Sequence, residues 1–530
     1  MNEALVCRKH FPYCLEPEES VIDELRGEGA PGQTISLSFS LCSPVEIGDL
    51  SLNIGRMSGP AGAIFEDNLD LFVVKVWEQS GIGVYQCPPV KVPELLVKDD
   101  RIEYKDGLRR IYPSWKQYFR PRYAYDAPKV RLTGGVDTSL NANTAKQIWL
   151  RVRIPDGAAP GNYMGCIEFS THYSLAVHLD ILPIVLAEPE QDLMLWYKGS
   201  LDPLRTQFYV DEADFRAQVQ DIRDHGFTSI TLNEFRMPYI QRALDILHEA
   251  GFCGNVLHHW PFPEDVLRLN YYAMRPLLYM SDEIDTRGPE YIDLHVNNDK
   301  AKPAGAETMI SLRQQSFLRR MQNPEDIGHA PDVVSYFVTD NLQYFLTMSR
   351  FPQVPNKGIY YYWPTHMEKP DVNRVLTGIF LWKSRAAGIS PYCYQHLPIQ
   401  PNSPYDDFDY WDVGTRGDIR PLRDHMTTYP ARGGSIPTIQ WEGMREGISD
   451  LRYLITLQKA IDAVAGDSDA ALLIEEIVRR RDAFLDRIKF PAICVMSDNE
   501  REPYSDIRPE EYHAFRTQIA ADVIALQTRK

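Results

Sequence analysis

The feature that most constrains the fold is a change of rhythm near residue 192. Up to about Leu186, short runs of alternating apolar and polar residues, such as Thr34–Leu41 and Gln147–Ile154, are separated by Pro/Gly turns. From Asp192 onward, apolar strand-like runs alternate with helical patterns. The first pattern is typical of a β-sandwich, and the second of a barrel in which a helix follows each strand. The sequence therefore predicts an N-terminal β-sandwich followed by a (β/α)8 TIM-type barrel with a helical C-terminal tail.

Eight strand candidates follow residue 192, and eight strands close such a barrel. Helices are predicted between some of them, notably over Glu307–Met321 and Asn373–Ala387. An open doubly wound sheet is the alternative, but no Gly-rich phosphate loop follows the first strand. The strand candidates are Leu193–Lys198, Thr228–Leu232, Asn255–His259, Arg275–Met280, Val333–Val338, Gly358–Tyr362, Ser390–Tyr394 and Ile436–Gln440.

The length of 530 residues exceeds what one ordinary core supports, so more than one domain is expected. We predict an N-terminal β-sandwich domain over 1–188 and a catalytic barrel over 192–465. A helical extension packed on the barrel is predicted over 466–530.

The acidic composition argues against several classes of partner. The formal net charge is −17, whereas binding to nucleic acid or to an anionic membrane surface requires basic patches. The eight cysteines include no C-x-x-C pair, and no metal or cofactor is expected. The N-terminus lacks a leader pattern, which predicts a cytoplasmic protein, although export with removal of a leader would leave the same sequence. The oligomeric state stays open.

Two adjacent carboxylates, Asp282 and Glu283, follow the strand candidate Arg275–Met280. In a barrel enzyme, side chains at the carboxyl ends of the strands form the catalytic mouth. Neighbouring carboxylates repel each other, which favours a proton on one of them. A protonated carboxyl beside an ionised one is what glycosidic cleavage needs. A solvated acidic loop is the alternative interpretation.

A second passage from strand to helix begins at Ile436–Gln440 and leads into Trp441, Glu442, Arg445 and Glu446. If this strand belongs to the barrel, Trp441, Arg445 and Glu446 line or brace a sugar pocket. The alternative is an ordinary i,i+3 ion pair between Glu442 and Arg445 on a helix surface.

Other strand candidates also end in side chains that are able to contact a sugar. Aromatic rings can stack on sugar faces, but one face of each strand must fill the barrel, so some of these rings belong to the core. A metal at His258–His259 is not favoured, because no further ligand stands at a suitable spacing. The candidate substrate-binding residues of this group are His259, Asp340, Trp363, Tyr392 and Tyr394.

Four stretches resemble glycoside hydrolase family 123 and the wider group that shares the C-terminal domain of unknown function 4091. They are Gln147–Gly165, Asp282–Glu283, Arg374–Tyr394 and Ile436–Leu454. The resemblance implies a β-sandwich, a catalytic barrel and exo-acting hydrolysis of β-linked N-acetylgalactosamine, hence an enzyme of the β-N-acetylhexosaminidase type with a carbohydrate partner.

The resemblance also implies a role for each acid. Glu283 would protonate the leaving oxygen, the substrate's 2-acetamido carbonyl would attack the anomeric carbon, and Asp282 would orient that group, with retention of configuration. The family pair is usually followed by Pro, whereas Ile284 stands here, so its loop and subsites are expected to differ. Two alternatives stay open. One is a glycosidase of other specificity that uses a second carboxylate, such as Asp340 or Glu442. The other is a non-catalytic carbohydrate-binding protein.

Overall fold

The computed structural model describes most of the chain in separate ranges. These are residues 5–60, 62–80, 89–101, 129–205, 208–259, 264–282, 306–312, 332–337, 358–363, 370–395, 409–413, 419–422, 427–488 and 506–529.

The described strands of the N-terminal part are β1 (Val6–Lys9), β2 (Val21–Ile22), β3 (Glu24–Gly29), β4 (Thr34–Cys42), β5 (Ile47–Ile54), β6 (Met57–Gly59), β7 (Gly62–Ile64), β8 (Leu69–Ser80), β9 (Pro89–Val97), β10 (Val136–Leu140), β11 (Ala145–Arg153), β12 (Gly161–Phe169) and β13 (Ser174–Ile181). The barrel strands are β14 (Asp192–Leu195), β15 (Ser229–Leu232), β16 (Asn255–His259), β17 (Arg275–Ser281), β18 (Glu307–Leu312), β19 (Val333–Phe337), β20 (Gly358–Tyr362) and β21 (Gly388–Ile389). Four further strands form two hairpins: β22 (Asp409–Val413) with β23 (Ile419–Leu422), and β24 (Thr428–Ala431) with β25 (Gly434–Pro437).

The described helices are α1 (Glu212–Asp224), α2 (Met237–Glu249), α3 (Pro370–Thr377), α4 (Ile379–Ser384), α5 (Ile439–Val464), α6 (Ala471–Asp486) and α7 (Pro509–Gln527). Short 3-10 turns occupy Glu66–Asn68 and Glu264–Arg268.

The N-terminal strands form two sheets that pack face to face. One has the order β2-β1-β4-β11-β8-β9, and the other has the order β10-β5-β12-β13-β3 with β6 and β7 attached. Alternate residues of β13, namely Leu175, Val177 and Leu179, are fully buried, which is the period of a strand with one face on a core. Apolar residues of both sheets join in one core. The predicted β-sandwich is therefore confirmed.

Eight parallel strands, β14 to β21, close into a barrel in chain order. Closure comes from β14 and β21, where Asp192 pairs with Gly388 and Leu193 with Ile389. The interior is filled by apolar and aromatic side chains, including Met194, Trp196 and Tyr279, so the barrel is a packed core with one open mouth. The predicted (β/α)8-type architecture is confirmed.

Two of the predicted elements are wrong, for different reasons. Glu307–Leu312 is the barrel strand β18, although the sequence pattern predicts the start of a helix there. Parallel strands are buried on both faces, so they lack the alternation that separates a strand from a helix. The segment Ile436–Gln440 is not a barrel strand, because β25 pairs antiparallel with β24 outside the barrel. The eighth barrel strand is β21, just before the candidate Ser390–Tyr394.

Helix α5 begins at Ile439, within the segment Ile436–Gln440 that was predicted as a strand. Its N-cap is Thr438, whose side chain accepts a hydrogen bond from the Trp441 N–H over 3.1 Å. The 26-residue helix is buried on most of its circumference between α3, α7 and the sandwich. A Cβ at Gly378 would collide with the Gly447 carbonyl, so this close approach to α5 requires glycine.

The C-terminal part is helical, as predicted, with α7 packed on α5. The exact domain boundaries remain predictions. Within the described ranges, no helix combines the length and apolar character needed to cross a membrane.

Candidate functional site

The carboxyl ends of the barrel strands bring together a group of polar and aromatic side chains. Because the strands are all parallel, their carboxyl ends meet at one mouth. The described residues that gather there are Trp196, Lys198, His259, Tyr279, Asp282 and Ser311, joined by Tyr392 from the segment after β21.

Asp282 is held through one of its two carboxylate oxygens. The Tyr279 hydroxyl donates to Oδ1 over 2.7 Å, and the Ser311 hydroxyl donates to the same oxygen over 2.7 Å. Both donors are buried, whereas Asp282 itself is exposed. Oδ2 makes no hydrogen bond to any described residue. A carboxylate fixed in this way is oriented to accept a hydrogen bond from a bound molecule.

The Tyr279 hydroxyl is a permanent donor in this arrangement. Burial raises the pKa of Tyr279 well above its ordinary value, and the negative charge of Asp282 acts in the same direction. The phenol therefore keeps its proton over the whole physiological range, and it continues to donate to Asp282.

An aromatic wall surrounds this carboxylate. The Trp196 ring centroid lies 5.0 Å from that of Tyr279, 5.2 Å from that of His259 and 6.0 Å from that of Tyr392. His259 and Tyr392 are partly exposed, and both rings contact the buried Trp196. Concave apolar surfaces with a few polar groups are typical of small-molecule sites. The structure thus places two of the predicted residues, His259 and Tyr392, beside Asp282.

Burial lowers the pKa of two basic side chains at the mouth. It lowers the pKa of His259 to about 4, with the positive charge of Lys198 acting in the same direction. His259 is therefore neutral near pH 7 and has one donor and one acceptor nitrogen. Burial also lowers the pKa of Lys198, while Asp282 partly offsets this effect.

Glu234 is a carboxylate that the sequence analysis missed. It lies two residues beyond β15, is 3% exposed, and accepts hydrogen bonds from the Ser200 hydroxyl over 2.8 Å and from the Leu201 N–H. Burial raises the pKa of Glu234 to about 7, although these hydrogen bonds oppose the shift. Its contacts anchor the turn that follows Gly199. The available signal was the polar pair Asn233–Glu234 directly after a strand candidate.

Two predicted aromatic residues, Trp363 and Tyr394, point away from the mouth. Trp363 is fully buried and donates its indole N–H to Asn373 over 3.1 Å. Tyr394 is fully buried and donates its hydroxyl to Asp221 of α1 over 2.8 Å. Both rings belong to the core between the barrel and its helices, so the structure gives neither a face for a sugar at the mouth.

Trp441 also lies outside the barrel wall. Its ring is fully buried, stacks on His225 with centroids 4.1 Å apart, and donates to Asp221 over 3.0 Å. The prediction that both passages from strand to helix meet at one mouth is wrong, because the segment before Trp441 is not a barrel strand.

Glu442 connects α5 to the sandwich. It forms ion pairs with Arg151 of β11 and with Arg445, and His225 Nε2 lies 3.6 Å from its Oε1. Arg445 in turn donates to the Ser36 hydroxyl of β4 over 2.8 Å. Burial raises the pKa of Glu442, but the two guanidinium groups more than offset this and hold the pKa below its ordinary value. The ion pair between Glu442 and Arg445 was the alternative interpretation of this motif.

Glu446 belongs to a second buried cluster, away from the mouth. Arg516 of α7 forms an ion pair with its carboxylate and donates to its carbonyl over 2.9 Å. Arg516 also donates to Asp450, which accepts two hydrogen bonds from Arg374. The cluster joins α3, α5 and α7.

Three positions of the predicted site, Glu283, Ile284 and Asp340, lie outside the described residues. Among the residues that are described, no group of three or more His, Cys, Asp or Glu side chains is arranged to hold a metal ion. His258 points into the core, where its Nε2 lies 2.8 Å from the Tyr271 hydroxyl. Burial lowers the pKa of His258 to about 3.

A cavity of 350 Å³ lies elsewhere, between the first sandwich strands and α7. Arg374, Glu446 and Arg516 contribute to its wall, but these charges already pair within the second buried cluster. None of its lining residues among the described ones comes from a barrel strand end. We therefore place the candidate site at the mouth.

Comparison with solved structures identifies the architecture. A family 123 glycoside hydrolase from Clostridium perfringens, studied for glycolipid glycan hydrolysis, aligns with a TM-score of 0.60 at 12% identity. The alignment covers 96% of this chain and 95% of the other. The chain has the fold of a family 123 glycoside hydrolase. The resemblance noted in the sequence is thereby confirmed as a structural similarity.

Other comparisons are weaker. A GH5 xyloglucanase from Bacteroides ovatus aligns over 81% of this chain and 98% of its own length, with a TM-score of 0.30 at 8% identity. Such a score supports no argument about this chain. No protein-family model matches the sequence. The domain of unknown function 4091 is therefore not supported by a family model. No curated protein matches it either.

Proposed function

We propose that the protein is a glycoside hydrolase that releases a β-linked 2-acetamido sugar, of the N-acetylgalactosamine type, from the end of a carbohydrate substrate. One observation carries the proposal: Asp282 is held through Oδ1 at the barrel mouth, while Oδ2 forms no hydrogen bond with any of the described residues. An acetamido N–H is a donor that suits such an oxygen. The fold shared with the family 123 hydrolase supports the same class of enzyme.

The proposed mechanism uses the substrate's own acetamido group as the nucleophile. Its carbonyl oxygen attacks the anomeric carbon while the bond to the leaving oxygen breaks, and Glu283 gives its proton to that oxygen. Asp282 accepts a hydrogen bond from the acetamido N–H, which becomes more acidic as the ring intermediate gains positive charge. Water then attacks the same carbon, the bond between that carbon and the acetamido oxygen breaks, and Glu283 takes the proton of the water. Two successive inversions retain the configuration.

The surrounding residues have distinct roles in this proposal. Tyr392, packed against the buried Trp196, supplies a ring for the sugar, and neutral His259 supplies a donor or acceptor for a hydroxyl. Tyr279 and Ser311 are positioning residues, because they act on the reaction only through Asp282.

The test compares release of 4-nitrophenol from the β-N-acetylgalactosaminide and from the β-galactoside. We expect cleavage of the acetamido sugar alone. We expect Glu283→Gln and Asp282→Asn to lower kcat/KM by about 10²-fold or more. Glu475→Gln makes the same chemical change on the exposed face of α6, and it should match the wild type.

Cleavage of the plain galactoside would contradict the acetamido mechanism and favour a conventional second carboxylate. Glu442 is a poor candidate for that role, because it is fully buried between Arg151 and Arg445. Lack of activity on both substrates, together with measurable sugar binding, would favour the non-catalytic alternative.

A further inference from the structure

Two cations at the barrel mouth, Lys198 and Arg205, have no carboxylate partner within ion-pair distance among the described residues. Lys198 follows β14, and Arg205 lies in the loop beyond it. Both are partly buried. In a chain with a net charge of −17, carboxylates are plentiful, so two neighbouring cations that form no ion pair with a described residue are unusual.

The two side chains are held together by shared aromatic and polar contacts. The Lys198 ammonium lies 5.9 Å from the Phe208 ring centroid, and the Arg205 guanidinium carbon lies 5.2 Å from the same ring. Arg205 also lies 4.1 Å from the Phe235 ring and donates to the Asn233 amide oxygen over 2.9 Å. These contacts fix the position of the guanidinium. The charges of Glu234 and Asp202 also act on Arg205, but neither carboxylate lies within ion-pair distance of it.

Arg205 retains unused hydrogen-bonding capacity. Its Nε is buried and has no hydrogen-bond partner among the described residues. Burying a donor of a charged group without a partner is costly, and a bound anion would remove that cost. The Lys198 ammonium lies 4.9 Å from the Tyr392 ring, so the pair of cations adjoins the aromatic wall of the site.

We propose that Lys198 and Arg205 form a subsite for an anionic group on the substrate sugar, either a sulfate ester or a carboxylate. This inference rests on the proposed function, because it names the class of sugar that the same site takes. The alternative is that Lys198 only balances the charge of Asp282, and Arg205 only the charges of Glu234 and Asp202, in which case neutral and anionic sugars would bind equally well.

The test measures binding, so it does not depend on turnover. Isothermal titration calorimetry would compare N-acetylgalactosamine with its 6-sulfate, its 4-sulfate and glucuronate. We expect at least one anionic sugar to bind about tenfold more tightly than the neutral sugar at low salt, with a smaller ratio in about 0.5 M salt. The sulfates and glucuronate distinguish the two sources of negative charge.

Lys198→Met and Arg205→Met should each reduce this preference by about tenfold and leave binding of the neutral sugar nearly unchanged. Lys459→Met removes an exposed lysine of α5 and should keep the full preference. Equal or weaker binding of every anionic sugar by the wild type, or no binding of any, would overturn the inference. Hydrolysis of the neutral 4-nitrophenyl substrate is measured separately, so failure of this subsite and failure of the proposed function give different results.

Discussion

Two parts of the molecule carry acidic residues near the junction of an extended segment and the next element, yet the structure treats them in opposite ways. At the barrel mouth, Asp282 is exposed and accepts hydrogen bonds only from neutral hydroxyl groups among the described residues. Against the sandwich, Glu442 is fully buried and forms ion pairs with Arg151 and Arg445. A carboxylate that reacts must keep an oxygen available, whereas a carboxylate that joins elements is neutralised. Whether a carboxylate forms an ion pair therefore distinguishes a catalytic from a structural role better than its position in the sequence does.

The largest expected effect is on stability, at the buried cluster around Arg516. Arg516→Met would leave Glu446 without its ion-pair partner and Asp450 with only Arg374. Breaking a buried ion pair typically costs about 3–5 kcal/mol. We expect a loss of that size in the free energy of unfolding, measured by chemical denaturation.

Arg268→Met is the matched control for that experiment. Arg268 is 84% exposed on its side chain and pairs with Asp265 on the surface, so its loss should cost less than about 1 kcal/mol. Similar losses for the two variants would mean that the Arg516 cluster does not stabilise the fold as described.

The next expected effect is a contrast in pH dependence between two buried carboxylates. Glu234 has its pKa raised to about 7 from an ordinary 4.5, so its contribution is fully present below pH 4.5 and is lost as the pH rises through 7. The difference in unfolding free energy between the wild type and Glu234→Gln should therefore fall by about 3 kcal/mol over this range.

Glu442 should show the opposite trend. Its pKa is lowered, so its contribution is present above pH 4.5 and is lost as the pH falls further. Unfolding of the wild type and Glu442→Gln at a series of pH values measures this difference. If the differences in unfolding free energy for Glu234→Gln and Glu442→Gln changed in the same direction with pH, the opposite electrostatic environments assigned to the two carboxylates would be contradicted.

A smaller effect is expected on catalysis when a positioning hydroxyl is removed. Tyr279→Phe removes one of the two donors to Asp282, and a hydrogen bond to a charged group contributes about 1.5–3 kcal/mol. We expect kcat/KM for the acetamido substrate to fall by about ten- to a hundredfold. The melting temperature should change little, because the ring is retained.

Tyr272→Phe is the control, since the Tyr272 hydroxyl donates to Asp245 over 2.8 Å on the protein surface. Its kcat/KM should equal that of the wild type. An unchanged kcat/KM in Tyr279→Phe would show that Asp282 needs no support from this hydroxyl.

The fold could be predicted from the sequence where it depends on patterns within a single segment. Alternation in runs such as Thr34–Leu41 predicted the sandwich, and the strand-like runs from Asp192 onward predicted the barrel. The sequence pattern predicted a helix at β18, which is a barrel strand buried on both faces. It also predicted a strand across Thr438, which is the N-cap of α5. Both errors come from short apolar runs that fit a helix or a strand equally well.

The site was predictable only in part, because its contacts are distant in sequence. Asp282 could be proposed from its position after a strand, but Ser311 is 29 residues away. The i,i+3 spacing from Glu442 to Arg445 indicated a structural ion pair, but its second partner, Arg151 of the sandwich, is 291 residues away and no spacing rule indicates it. Whether a charged residue is catalytic or structural depends on the residues that it contacts in the folded chain.

The most direct test measures activity and stability together in Asp282→Asn and Glu442→Gln. We predict that Asp282→Asn lowers kcat/KM for the acetamido substrate by about 10²–10³-fold and shifts the melting temperature by no more than about 2 °C. We predict that Glu442→Gln lowers the free energy of unfolding by about 3 kcal/mol and leaves kcat/KM of the folded enzyme within about threefold. A stable, fully active Asp282→Asn, or a stable but inactive Glu442→Gln, would contradict this assignment of roles.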